Sequence, residues 1–155
     1  MAEQVISIRG MTEEDIKAVV DINREIMGED RVLTYNDPSR DPAKTYAIGG
    51  RMGLSQIAEA DGKVIGFILG RITTHPYFLE DTGMIITIGV IPGFQHKGVA
   101  TRLVKSFKKE CNKREIGEVS VLINKEDKAM NSFYKFMGFK ENNVVELSGS
   151  TTECT

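Results

Sequence analysis

The spacing of apolar and polar residues changes period several times along the 155-residue chain, and each period predicts an element. Residues 5–9 alternate, as in a strand. Thr12 then stands where a helix N-cap would, followed by Glu13, Glu14 and Asp15 in the first turn, where the helix dipole favours acids. Ile16, Val19, Val20 and Ile26 recur at helical spacing, so this helix packs one face on a core. Residues 28–41 turn polar and irregular. A short second helix is expected from Asp41-Pro42, with proline at the first helical position, to Gly49-Gly50.

Residues 57–60 and 63–73 flank Asp61-Gly62, the dipeptide best suited to a two-residue hairpin turn. The second of these runs is long and apolar and should lie centrally, with His75-Pro76 ending it. Residues 84–91 are almost wholly branched and apolar, as in a strand covered on both faces. Gly89 inside that strand marks a bulge or a close approach, and Pro92 ends the pairing because it has no N–H. Val99, Ala100, Leu103, Val104, Phe107 and Cys111 share one face of the clearest helix, with Arg102, Lys105, Lys109 and Lys113 on the opposite one. Residues 118–123 predict a strand, 127–136 a helix closed by Gly138, and 139–147 a last strand or pair of strands. No repeat or linker interrupts, so residues 1–147 read as a single domain and 148–155, small and polar, as a frayed tail.

Composition narrows the function classes. With 41% hydrophobic and 27% charged residues the chain has the make-up of a globular protein. A net charge of −2 gives no reason to expect nucleic acid as a partner. No apolar run reaches the roughly 18 residues of a membrane span, and the first residues lack the basic and apolar regions of a signal peptide, so a cytoplasmic protein is expected. The two cysteines, Cys111 and Cys154, indicate no disulfide framework, and with His75 and His96 as the only histidines no metal site is expected. Neither cysteine has the pattern of a nucleophile.

Chemistry enters where the apolar strand ends. Gln95-His96-Lys97-Gly98-Val99-Ala100 opens the clearest helix through small residues. The first turn of a helix has unpaired N–H groups and the positive end of the dipole, so a chain entering a helix this way can hold a phosphate or pyrophosphate. The spacing Q-x-x-G-x-A after Val-x-Pro resembles the acetyl-CoA-binding motif of the GNAT superfamily of N-acetyltransferases. A second stretch, Asp127 followed by Ala129, Tyr134 and a closing Gly138-Phe139, is similar to the other hallmark of that superfamily, with Asp127 where the family often has Asn. The order of elements over residues 5–147 matches as well.

The resemblance implies an α/β (α+β) fold: a mixed, mostly antiparallel, splayed sheet of six to seven strands flanked by about four helices. It implies acetyl-CoA as co-substrate, and no metal. Backbone groups of Ile88, Gly89 and Val90 would hold the acetyl and pantetheine portion like an added strand. Gln95, His96, Lys97, Gly98, Val99 and Ala100 would hold the pyrophosphate, and Lys97 or a neighbour the 3′-phosphate. Asn124 and Asn131 could reach the cofactor. Tyr134 is the candidate general acid for the leaving thiolate. The general base is where this chain departs from the family, because Ile86, Thr87 and Ile88 stand where many members carry a glutamate. Glu80, Asp81 and Thr87 are the remaining candidates.

The expected activity is direct transfer of an acetyl group from acetyl-CoA to a primary amine, on a protein N-terminus, a lysine or a small molecule. A homodimer is in keeping with related proteins. A non-catalytic acyl-CoA-binding regulatory domain is the alternative, favoured by the missing strand carboxylate. A nucleotide-phosphate binder lacks the G-x-x-x-x-G-K-[ST] loop it would need, and an interaction module with an unused cleft would bind no coenzyme A species.

Overall fold

The structure, a computed structural model, describes residues 4–27 and 54–152. Among these, β1 (Ile6–Gly10) leads through a 3-10 turn at Glu13–Asp15 into α1 (Ile16–Met27). Then follow β2 (Gln56–Ala60), β3 (Lys63–Thr74), β4 (Asp81–Val90), α2 (Val99–Lys113), β5 (Val119–Val121) and α3 (Lys128–Phe136). The helix expected from Asp41 lies outside the described residues.

The sheet runs β1-β2-β3-β4-β5, antiparallel except for the parallel pair β4–β5. The long apolar run 63–73 is the third of the five strands, as its composition requires, and Asp61 and Gly62 both take positive φ in the hairpin turn before it. Thr12 starts the 3-10 turn, its N–H donating to the Asp15 carboxylate at 2.8 Å. Arg9 on β1 forks onto the same carboxylate with two bonds of 2.7 Å and also meets Glu59 on β2, tying the start of α1 to the sheet edge.

The mixed sheet matches the expected fold class, but the expected last strand or pair of strands at 139–147 is not formed. The side chain of Asn142 takes the N–H of Val144 at 3.0 Å, a local turn that competes with a ladder. Val145 and Leu147 remain 75% and 90% exposed. Phe139 packs on the core, but Val145 and Leu147 find no such cover. The described residues therefore hold five strands and three α-helices, against the six to seven and about four expected.

Two packed layers sandwich the sheet. On one face, Met11, Val19, Ile22, Ile57, Phe67 and Leu69 form the cluster under α1. On the other, Val99, Leu103, Val104, Phe107 and Cys111 of α2 pack with Ile65, Ile68, Ile85, Ile88, Val90 and Tyr134. Helix α2 comes very close to the strands because two glycines leave room. A Cβ on Gly70 would lie 2.3 Å from the Phe107 ring and 2.9 Å from the Met84 carbonyl oxygen, and one on Gly83 would lie 2.4 Å from Cys111 Sγ. Gly70→Ala is thus expected to destabilise by about 1–3 kcal/mol, on the order of 5 °C in Tm by calorimetry. An unchanged Tm would show that α2 can back away at no cost.

Candidate active site

The site is built where β4 loses its neighbour. Strands β4 and β5 pair only from Gly83 to Ile85 and Val119 to Val121. Thr82 clips them together at one end, its hydroxyl reaching the Glu118 carbonyl at 3.1 Å and the Ser120 hydroxyl at 3.2 Å. At the other end β5 stops, and Tyr134 of α3, 2% exposed, belongs to the cluster that fills the space under the sheet.

A bulge then re-aims the last residues of β4. The register jumps from Gly70↔Ile85 to Leu69↔Thr87, leaving Ile86 as the extra residue. Ile85 and Ile88 both pack in the α2-side cluster, whereas Ile86 packs on the α1 side. Counting back from Ile88 and Val90, Thr87 shares the α1 face with Ile86. The N–H of Ile91 donates to Ile65 on β3 at 2.9 Å, so by strand alternation the N–H and C=O groups of Val90 and Ile88 point the other way, to the open edge. Gly89 sits opposite Phe67 and turns its backbone toward β3. It is glycine because a Cβ there would lie 3.0 Å from the Phe67 ring and 3.2 Å from Ile26 Cδ1. The glycine thus marks the approach of α1, with the bulge three residues earlier.

Beyond β4, Pro92–Phe94 form a single 3-10 turn, and the chain enters α2 through His96 (φ 63°) and the N-cap Gly98 (φ 78°). The first bond of α2 runs from Arg102 N–H to Gly98 C=O at 3.1 Å, which leaves the N–H groups of the preceding turn free for an anion. Nothing lies within 4 Å of where a Gly98 Cβ would be, so the space over this turn, the candidate phosphate cradle, is open. Lys97 lies over the Phe94 ring, 5.3 Å from its centre. A strand edge whose amide groups face no neighbouring strand therefore runs straight into a helix N-terminus, an arrangement that suits an extended amide chain ending in phosphates.

Over residues 19–139 the chain matches the model of the Acetyltransferase (GNAT) family. The chain belongs to this family. It is an acetyl-CoA-dependent N-acetyltransferase, with acetyl-CoA as its co-substrate. Among solved structures, this GNAT protein is similar to the aminoglycoside N-acetyltransferase AAC(6')-Iy in complex with CoA, at 18% identity and TM-score 0.81 over 97% of each chain. It is similar to the ribosomal-protein-alanine N-acetyltransferase of Brucella melitensis biovar Abortus 2308, at 13% identity and TM-score 0.74, covering 94% of this chain and 100% of that one. Arabidopsis thaliana Naa50, in complex with the bisubstrate analogue CoA-Ac-MVNAL, matches at 20% identity and TM-score 0.69 over 89% and 85% of the two chains.

Within the GNAT protein the remaining candidates separate. Burial pushes the Tyr134 phenol up to about 12. Its ring packs edge-on against Phe133 and Phe139, and no hydrogen bond of its hydroxyl is seen among the described residues. Asn124 and Asn131 build the turn between β5 and α3. Asn124 Oδ1 accepts the Glu126 N–H at 2.8 Å, and Asn131 Nδ2 donates to the carbonyls of Asn124, Lys125 and Asp127 at 3.1, 3.3 and 2.8 Å. Asp127, at the place where the family often has Asn, caps α3 by accepting the Met130 N–H at 3.1 Å.

The structure does not bring Glu80 and Asp81 to the site. Asp81 opens β4, bonded to Thr74 at 3.1 Å, and Glu80 precedes it. Seven residues at roughly 3.4 Å each put Asp81 about 24 Å along the strand from Ile88. Thr87 alone of the base candidates lies at the parting. His75, near them in sequence, holds its loop instead, its Nδ1 accepting from the N–H groups of Tyr77 and Phe78, both at 3.2 Å.

A separate cleft of about 910 Å³ opens on the far side of β5, toward the stretch 138–146, with Ser120, Leu122, Asn131, Tyr134 and Val145 among its lining residues. None of residues 88–100 lines it, so it is distinct from the turn that opens α2. Sequence reasoning missed the Thr82–Ser120 clip and the Ile86 bulge. Neither has a local signal, since both depend on which strand lies alongside.

Proposed function

We propose that this GNAT protein moves the acetyl group of acetyl-CoA directly onto a primary amine, with residues 1–147 as the domain that does so. The pantetheine arm lies along Ile88 and Val90 as an added strand, and the pyrophosphate lies at Gln95, His96, Lys97, Gly98, Val99 and Ala100. The observation that carries this is the run of edge-facing amide groups at Ile88 and Val90 leading into the turn at Gly98. Gly89 lends close packing rather than amide groups, and Asn124 and Asn131 hold the turn that positions α3.

Tyr134 acts on the departing sulfur, and its environment defines how. A phenol pushed up to about 12 stays protonated at every working pH. An ordinary thiol has a pKa of about 8.5, below that of this phenol, so full proton transfer from the phenol to a thiolate runs uphill. Tyr134 therefore serves as a hydrogen-bond donor that stabilises the developing thiolate, and water takes up the proton balance. With no carboxylate on β4 near the parting, the amine arrives neutral or loses its proton to water beside Thr87.

The acceptor is a primary amine on a protein or a small molecule, and the similar structures include an aminoglycoside enzyme and one bound to a peptide-bearing analogue. A cytoplasmic location accords with the absence, among the described residues, of any helix long and apolar enough to cross a membrane. Among the described residues β5 is an edge strand, and Leu122 just after it is 77% exposed, which supports a homodimer.

A thermal-unfolding titration tests the cofactor edge. Acetyl-CoA or coenzyme A at about 100 times its dissociation constant should add roughly 2.7 kcal/mol, on the order of 5 to 10 °C, and ATP should add little. No shift with either coenzyme A species would end this reading. Free coenzyme A released in the presence of an amine panel then identifies the acceptor.

A further inference from the structure

The last carbonyl of the open edge already has a partner. Gln95 turns its side chain back across the 3-10 turn, and its Nε2 donates to the Val90 oxygen at 2.9 Å. Because Ile91 N–H bonds to β3, that oxygen faces the gap between β4 and β5, the side on which an added strand must pair. Extended backbone at Gln95 (φ −70°, ψ 156°) carries the side chain to this position. A carboxamide N–H is chemically the same donor as the amide N–H of an extended amide ligand. Strands stand about 4.8 Å apart, so only one chain's width lies directly beside β4. A side chain bonded in that space competes with a ligand that needs it.

We propose that the Gln95 carboxamide is a stand-in for a pantetheine amide: it satisfies the Val90 carbonyl in the ligand-free protein and must leave when the pantetheine arm pairs with β4. Gln95 is thus a positioning residue with two effects of opposite sign. Its backbone belongs to the phosphate cradle, while its side chain weakens acyl-CoA binding and speeds product release by refilling the edge as coenzyme A departs. The proposal rests on the reading of Ile88 and Val90 as the pantetheine edge.

The test uses Gln95→Met, which keeps the length of the side chain and removes the donor, with Gln95→Leu as a second variant should the first not fold. Dissociation constants are measured by calorimetry for acetyl-CoA, coenzyme A and adenosine 3′,5′-bisphosphate, which has phosphates but no pantetheine. One net hydrogen bond corresponds to a change of roughly three- to tenfold. Acetyl-CoA and coenzyme A should bind the variant tighter by about that factor, with the bisphosphate unchanged. Weaker or unchanged acetyl-CoA binding would overturn the proposal, since Gln95 would then support the edge or share the oxygen with the ligand. Equal tightening of the bisphosphate would also overturn it, by moving the effect to the phosphate cradle. Failure of the wild-type protein to bind acetyl-CoA would remove the pantetheine edge itself, a result separable from every outcome of the variant.

Discussion

Replacing Tyr134 by Phe lowers kcat by roughly 100-fold, the lower end of what losing one well-placed transition-state donor costs, and leaves acetyl-CoA affinity within about twofold. The asymmetry follows from where the hydroxyl stands. The ring is 2% exposed and held edge-on by Phe133 and Phe139, so the phenylalanine ring keeps its place. With no hydrogen bond of the hydroxyl seen among the described residues, its removal leaves no partner stranded in the fold. Only the bond to a sulfur that becomes negative during reaction is lost, and a bond made only in the transition state appears in kcat. The pH profile adds a second check. Because burial pushes the phenol up to about 12, Tyr134 contributes no ionisation between pH 5 and 10, and wild type and variant should have profiles of the same shape. An unchanged kcat would remove Tyr134 from the chemistry. A parallel loss of affinity would show that the ring, not the hydroxyl, is what matters.

Phe107→Ala should cost about 3–5 kcal/mol and lower Tm by roughly 10 °C, read by urea and thermal unfolding. Phe107 is fully buried on α2, and its ring fills the hollow over Gly70, with Gly83 also within reach. Those glycines offer no side chain to move into the space, so the cavity left by the ring stays largely open. The cost then sits near the full transfer-plus-cavity value rather than the relaxed one. Because Phe107 lies about two turns along α2 from its start at Val99, the folded fraction of the variant should bind acetyl-CoA nearly as wild type does. A loss below about 1.5 kcal/mol would mean that α2 settles onto the sheet after truncation, and it would predict little effect for Gly70→Ala as well.

The two substitutions bear on one architectural feature. Helix α2 presents Val99, Leu103, Val104, Phe107 and Cys111 to the sheet, and its N-terminus is the cradle. The close seat of α2 on Gly70 and Gly83 therefore sets where the free N–H groups of the first turn stand relative to the edge of β4. Stability and cofactor geometry share this contact, the first through Phe107 and Cys111 in the middle and last turns of the helix and the second through its first turn.

What residues 4–27 and 54–152 become was in large part written locally. Period, caps and turn residues act over a few positions, so the hairpin at Asp61-Gly62, the faces of α1 and α2, the helix from Asp127 to Phe136 and the turn at Gly98 could be read along the chain. The family followed from two short motifs for the same reason, since a phosphate cradle is made of consecutive backbone groups. The rest depends on residues far apart meeting. A strand over 139–147 needs a ladder with a distant strand, and none forms there. Glu80 and Asp81 are near Ile88 in number yet stand at the other end of β4, because a strand extends rather than folds back. The extra residue at Ile86 shifts the phase of β4 against β3, turns Ile88 and Val90 toward α2 and leaves their amide groups on the free edge. Periodicity carries no sign of that shift, because inserting a residue in one strand has meaning only against the register of the strand beside it.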